Sequence, residues 1–125
     1  MTISISKADG IATVKLDRAD KLNALTHDMY EGIADAFADL SFDDDVRAIV
    51  LASAGRAFCA GSDVGKMGSY DVITGRKRTS THQRMIRNLH NCEKPVIAAI
   101  RGPVAGIGVS LALACDLIVA SDTAY

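Results

Sequence analysis

Two short apolar runs, each followed by a turn of small residues, constrain this chain more than any other feature. Residues 46–51 include Val46, Ala48, Ile49, Val50 and Leu51, a run that suits a strand buried on both faces. Residues 96–100, Val96-Ile97-Ala98-Ala99-Ile100, repeat the pattern. Behind the first run comes Ala57-Phe58-Cys59-Ala60-Gly61-Ser62-Asp63, and behind the second the glycine-punctuated stretch 102–108. Glycine and alanine permit close backbone approach, and ligands of open α/β sheets sit at the carboxyl ends of strands. Two such turns, about forty-five positions apart, can therefore bring two backbone N–H groups to one point. Fixed N–H donors suit a carbonyl oxygen on which negative charge develops.

The rest of the chain supplies the frame. Residues 2–6 and 11–16 alternate apolar and polar around Asp9-Gly10, which predicts a hairpin. After a loop over 17–23, Thr26 is placed to cap a helix whose Met29, Ile33, Phe37 and Leu40 form one apolar stripe; Asp43-Asp44-Asp45 ends it in a solvated turn. Residues 68–80 are polar and carry Gly75, Arg76, Lys77 and Arg78, which reads as a mobile surface loop before a helix over 81–92. A helix over 106–115 and a strand over 117–120 follow. The order ββ, α, β, α, β, α, β predicts an α/β protein, with nothing after the last strand to cover the sheet.

Composition excludes several classes. The 125 residues make one domain's worth of chain, and an apolar content of 49% is enough for a packed core. Fourteen lysines and arginines against fifteen acids leave a net charge of -1, which gives no ground for a nucleic-acid or anionic-membrane partner. Cys59, Cys92 and Cys115 are odd in number, widely spaced and set in apolar segments, as expected of reduced thiols in a cytoplasmic protein. No zinc-ligand spacing is present, so no metal is expected. Residues 1–7 lack a basic-then-apolar leader, and the longest uncharged run, 102–115, is too short to span a bilayer.

Four segments occur in the order and spacing of the enoyl-CoA hydratase/isomerase (crotonase) superfamily: Lys21-Leu22-Asn23-Ala24-Leu25, residues 57–67, Lys94-Pro95-Val96-Ile97-Ala98-Ala99-Ile100, and residues 102–116. The chain resembles the N-terminal portion of that fold over residues 1–125. The resemblance implies a crotonase-like spiral of ββα units, incomplete at the C-terminus, that forms a homotrimer or hexamer in full-length members. It also implies that the backbone N–H groups of Ser62 and Ile107 hold the thioester oxygen of an acyl-CoA. Ala60, Ser62, Asp63, Val64, Gly65, Gly106 and Ile107 would line the acyl site, and Lys21 and Ala24 would lie beside the adenine end of coenzyme A. Coenzyme A would enter as the substrate thioester, with no separate cofactor.

The chain departs from the family pattern at two positions. Ile107 stands where the second donor is usually glycine, and Ser110 stands where family hydratases carry a water-activating glutamate. A serine hydroxyl is no general base near neutral pH, and the second family acid would fall beyond Tyr125. The leading expectation is thioester enolate chemistry of the hydratase or isomerase type. Two alternatives stay open: a non-catalytic acyl-CoA binding or scaffold subunit, and a serine peptidase of related spiral architecture using Ser110. Each remaining residue has a plainer role. Ser62 can cap a short helix, Cys59 can be a small buried hydrophobe, and His27, His82 and His90 can be solvated or locally bonded. Asp116 is expected to bond backbone at a helix end or a neighbouring strand.

Overall fold

The computed structural model describes residues 2–66 and 68–125. Met1 and Met67, the latter closing the 57–67 segment, lie outside the described residues. Five strands form one sheet in chain order: β1 (Ile3–Ala8), β2 (Ile11–Leu16), β3 (Ala48–Ser53), β4 (Val96–Ile100) and β5 (Leu117–Ala120). Strands β1 and β2 are antiparallel, and every later pairing is parallel. The hairpin closes at Asp9-Gly10, where φ is +54° and +79°; paired left-handed residues make the two-residue turn whose twist matches the strands.

Three helices connect the parallel strands: α1 (His27–Leu40), α2 (Val72–His90) and α3 (Ile107–Ala114). Thr26 caps α1 as expected, its hydroxyl accepting from Met29 N at 3.3 Å. Met29, Ile33, Phe37 and Leu40 are all buried. They pack with Val14, Leu16, Ile49, Leu51, Val96 and Ala98 of the sheet and Met85, Leu89 and Leu111 of the other helices. Parallel pairing needs such crossovers.

Two expectations fail here. The first is the length of α2, which begins at Val72, nine residues before the predicted 81. Asp71 and Thr74 form a reciprocal cap, Thr74 N donating to Asp71 Oδ1 at 2.8 Å and Asp71 N to Thr74 Oγ1 at 3.0 Å. That pair satisfies two otherwise orphaned amides and outweighs Gly75 and the cationic run. The second is β3, which is not buried on both faces. Ile49, Leu51 and Ser53 are buried while Ala48, Val50 and Ala52 are half-buried, because the helical core lies against one face of the sheet. Strand β5 is exposed throughout. Asp116 behaves as expected: its carboxylate accepts from Val96 N at 2.8 Å, and its own amide donates to Val96 O at 2.9 Å.

Candidate active site

The turns behind β3 and β4 are stitched together by main chain. Phe58 N donates to Arg101 O at 2.8 Å, Cys59 N to Pro103 O at 3.3 Å, and Ala105 N to Cys59 O at 3.0 Å. Glycines make this approach possible. A β-carbon at Gly108 would stand 2.9 Å from the Cys59 β-carbon, and one at Gly106 would lie 3.6 Å from the Gly61 α-carbon. Gly61 and Gly106 also sit at φ +117° and +54°, a region that L side chains rarely adopt.

Each of these two glycines carries the peptide of the residue after it. The Gly61 carbonyl accepts from Leu25 N at 2.8 Å, and Asp63 N returns a bond to Leu25 O at 2.9 Å. In a trans peptide the N–H points opposite to the preceding carbonyl, so the Ser62 N–H faces away from residue 25. The Gly106 carbonyl accepts from Val109 N at 3.0 Å, as the first turn of α3 requires. The Ile107 N–H therefore opens outward from the helix start. Among the described residues neither amide donates a hydrogen bond. Two donors without partners among the described residues thus follow two glycines that lie side by side, a β-carbon on either falling within 4.0 Å of the other's α-carbon.

Side chains around Ser62 differ from the capping role offered above. Asp63, not Ser62, makes the local turn: its Oδ1 accepts from Gly65 N at 2.7 Å. The Ser62 hydroxyl instead meets the Tyr30 hydroxyl at 2.6 Å. The Tyr30 ring contacts the His82 ring with centroids 3.9 Å apart. His82 is half-buried, and its Nε2 has no hydrogen-bond partner among the described residues. Burial holds the imidazole below its ordinary range, reinforced by the charges of Arg78 and His27. His90 is exposed, and His27 sits near the surface against Glu31 at 3.2 Å. Sequence reading missed Tyr30 because, buried beside the apolar stripe of α1, it reads as one more core ring.

The segment 18–25 is held beside the first turn. Asn23, fully buried at φ +56°, donates to Ala54 O at 2.8 Å and Ala57 O at 2.9 Å while accepting from Arg18 N at 2.8 Å. Ala60 N donates to Leu22 O at 3.0 Å. Arg18 reaches Ala24 O at 2.9 Å and pairs with Asp63 at 2.6 Å. The Gly65 amide and then Arg18 hold the Asp63 carboxyl below its ordinary range. Lys21 is exposed, Ala24 half-buried and Val64 exposed. A cavity of about 570 Å3 opens beside this segment, lined by Arg18, Leu25, Tyr30, Asp63, Gly65 and Arg78 among others. Of the three cations at 76–78, only Arg78 faces it, its guanidinium 5.1 Å from the centre of the Tyr70 ring.

An open depression of about 450 Å3 runs along the surface of α2 and is lined by His82, Gln83, Ile86, Arg87, His90 and Ile107. Ile107 is half-buried and packs against the core cluster. Ser110 is exposed on α3 and makes no hydrogen bond to a histidine, so the nucleophile–base pair of a peptidase is not assembled among the described residues. Cys59 is buried and its thiol is pushed up to about 11 by desolvation, which fits a packing role rather than a nucleophile. Among the described residues no group of three or more potential metal ligands occurs, and no helix is long and apolar enough to cross a membrane.

A mixed sheet wound with helices on one face, its paired turns carrying free amides after close-packed glycines, defines an α/β fold of the crotonase type. The enoyl-CoA hydratase/isomerase family profile matches residues 6–125, and the chain belongs to that family. It is 38% identical over 126 residues to 4-chlorobenzoyl coenzyme A dehalogenase-1 of Arthrobacter sp, covering 98% of this chain and 46% of that one. It is 34% identical over 123 residues to the short-chain-enoyl-CoA hydratase of Clostridium acetobutylicum, covering 98% and 47%. The crystal structure of an enoyl-CoA hydratase/carnithine racemase from Magnetospirillum magneticum superposes with a TM-score of 0.95 at 31% identity, covering 99% of this chain and 48% of that one. The chain therefore spans a little under half the length of these relatives.

Proposed function

We propose that this chain carries the thioester-binding half of an acyl-CoA enzyme of the hydratase/isomerase type. The Ser62 and Ile107 amides take the thioester oxygen as it gains charge, each donor contributing about 2.7–4 kcal/mol to stabilising an enolate. The observation that carries this reading is the pair of N–H groups, unpartnered among the described residues, that follow the neighbouring glycines Gly61 and Gly106. Ala60, Asp63, Val64 and Gly65 shape the acyl site around them, while Lys21 and Ala24 receive the adenine end of coenzyme A. Arg18 and Arg78, both on the larger cavity, supply cationic charge for its phosphates. Coenzyme A arrives as part of the substrate, and no separate cofactor is proposed. The working form proposed is a cytoplasmic homotrimer or hexamer.

The test is spectroscopic. An enoyl-CoA with an aryl-conjugated double bond absorbs further to the red when its carbonyl is polarised. Mixing it with the natural full-length protein is expected to give that shift, reversed by excess coenzyme A; binding without a shift overturns the reading. Ser110 in place of a glutamate favours one second reading, acyl-CoA binding without turnover. Shift without conversion of any enoyl-CoA over a range of chain lengths would select it.

A further inference from the structure

We propose that His82 takes and returns a proton at the α-carbon of the bound thioester, a role that Ser110 cannot fill. The proposal rests on the reading of Ser62 and Ile107 as carbonyl donors.

Four observations converge on this side chain. Its Nε2 is buried without a hydrogen-bond partner among the described residues; buried polar atoms are almost always paired, and an orphan calls for an explanation such as a catalytic role. Its ring lies on Tyr30, and the Tyr30 hydroxyl is bonded to Ser62 Oγ at 2.6 Å, so the imidazole stands one side chain from the first donor residue. It also lines the open depression along α2 together with Ile107, the second donor residue. Finally, the groups that act on it are Arg78, one turn earlier on α2, and His27, at the start of α1. Both oppose a second positive charge, and burial does the same, so the ring is neutral near pH 7 and its lone pair is free to accept.

In the step, the Nε2 lone pair takes the α-hydrogen as a proton. The C–H electron pair moves into the bond between the α-carbon and the carbonyl carbon, and the carbonyl π pair moves onto oxygen, facing the two amides. The imidazolium then returns its proton to the α-carbon, giving exchange with solvent, or to the γ-carbon of an enoyl chain, giving double-bond migration. No oxidant, reductant or co-reactant is consumed.

The test follows α-hydrogen exchange of a saturated acyl-CoA in D2O, by NMR, using the natural full-length protein. Wild type is expected to exchange, and His82→Gln to exchange at least about 100-fold more slowly while retaining the red shift of the aryl-conjugated enoyl-CoA. Absence of that shift in wild type defeats the carbonyl-donor reading itself. A shift accompanied by unchanged exchange in H82Q, or by no exchange in wild type, overturns the role of His82 alone. The wild-type pH profile needs no variant and decides the matter if H82Q folds poorly. The rate is expected to fall tenfold per pH unit once pH drops through the imidazole pKa, which burial and then Arg78 and His27 hold below the ordinary 6.5, and a rate that nowhere falls between neutral pH and the onset of acid unfolding overturns the proposal.

Discussion

Gly102 and Arg56 are in direct main-chain contact: a β-carbon on Gly102 would overlap the Arg56 carbonyl oxygen and stand 3.4 Å from the Ala57 α-carbon. Gly102 also sits at φ +58°. The contact clamps the start of one site turn onto the start of the other, beside the Phe58–Arg101 hydrogen bond. Gly102→Ala is expected to lose at least about 3 kcal/mol, because left-handed strain and a backbone clash add. Gly68→Ala is the control, since φ there is +88° with open space around it, and strain alone costs about 1–2 kcal/mol. Urea midpoints of the two variants measure the difference.

Asn23 offers a second test of stability. Its side chain makes three hydrogen bonds in a fully buried position. Asn23→Ala leaves two carbonyls and an amide without partners at about 1–3 kcal/mol for each group that water cannot reach. Asn23→Gly removes the same bonds but relieves the left-handed backbone. The alanine variant is therefore expected to melt lower than the glycine variant, and both well below wild type in thermal unfolding.

A main-chain donor is indifferent to the side chain it carries. Ser62→Ala keeps the proposed N–H and loses only the bond to Tyr30, so kcat/KM is expected to fall by no more than about tenfold. Ser110→Ala alters an exposed hydroxyl and is expected to change turnover by about threefold at most. An inactive S110A enzyme would contradict that assignment.

The Asp63 carboxyl titrates below its ordinary value of 3.8, held there first by the Gly65 amide and then by Arg18. A carboxyl lowered in the folded state stabilises it at pH values above the unfolded value, and that contribution disappears as pH falls through the folded one. The turn at 61–65 is thus expected to hold at neutral pH and to loosen below about pH 4. Asp63→Asn should flatten the acid limb of a stability profile, which chemical denaturation at stepped pH reads directly.

Thiol reactivity checks the packing of both ends of α3. Burial pushes the Cys115 thiol up to about 12, with Asp116 adding to it, and the Cys59 thiol up to about 11. At pH 8 the Cys59 thiolate fraction falls about 100-fold relative to a thiol at the ordinary 9.0. Labelling of Cys59 and Cys115 by a disulfide reagent is expected only after unfolding, as peptide mapping will show.

The strands and first helix were legible because they follow short-range rules. Asp9-Gly10, the Thr26 cap and the stripe from Met29 to Leu40 each act within a few residues. The start of α2 was illegible because the Asp71–Thr74 cap competes with a glycine and three cations that read as loop. The half-exposed face of β3 was hidden for another reason: an apolar strand sequence does not say whether both sides are covered. At the site, glycine spacing pointed to the two turns, since close approach needs residues without a β-carbon. The Tyr30–Ser62–His82 contacts join positions 30, 62 and 82 from three separate segments, and no local pattern encodes such a meeting.

The rungs joining β3 to β4 pair Ile49 with Val96, Val50 with Ile97 and Leu51 with Ala98. A slip of a single rung would slide one bend past the other by about 3.3 Å, as much as the whole length of a hydrogen bond. The buried ladder therefore works as a ruler for the mouth above it, and loosening those rungs would blur ligand recognition before the protein came apart.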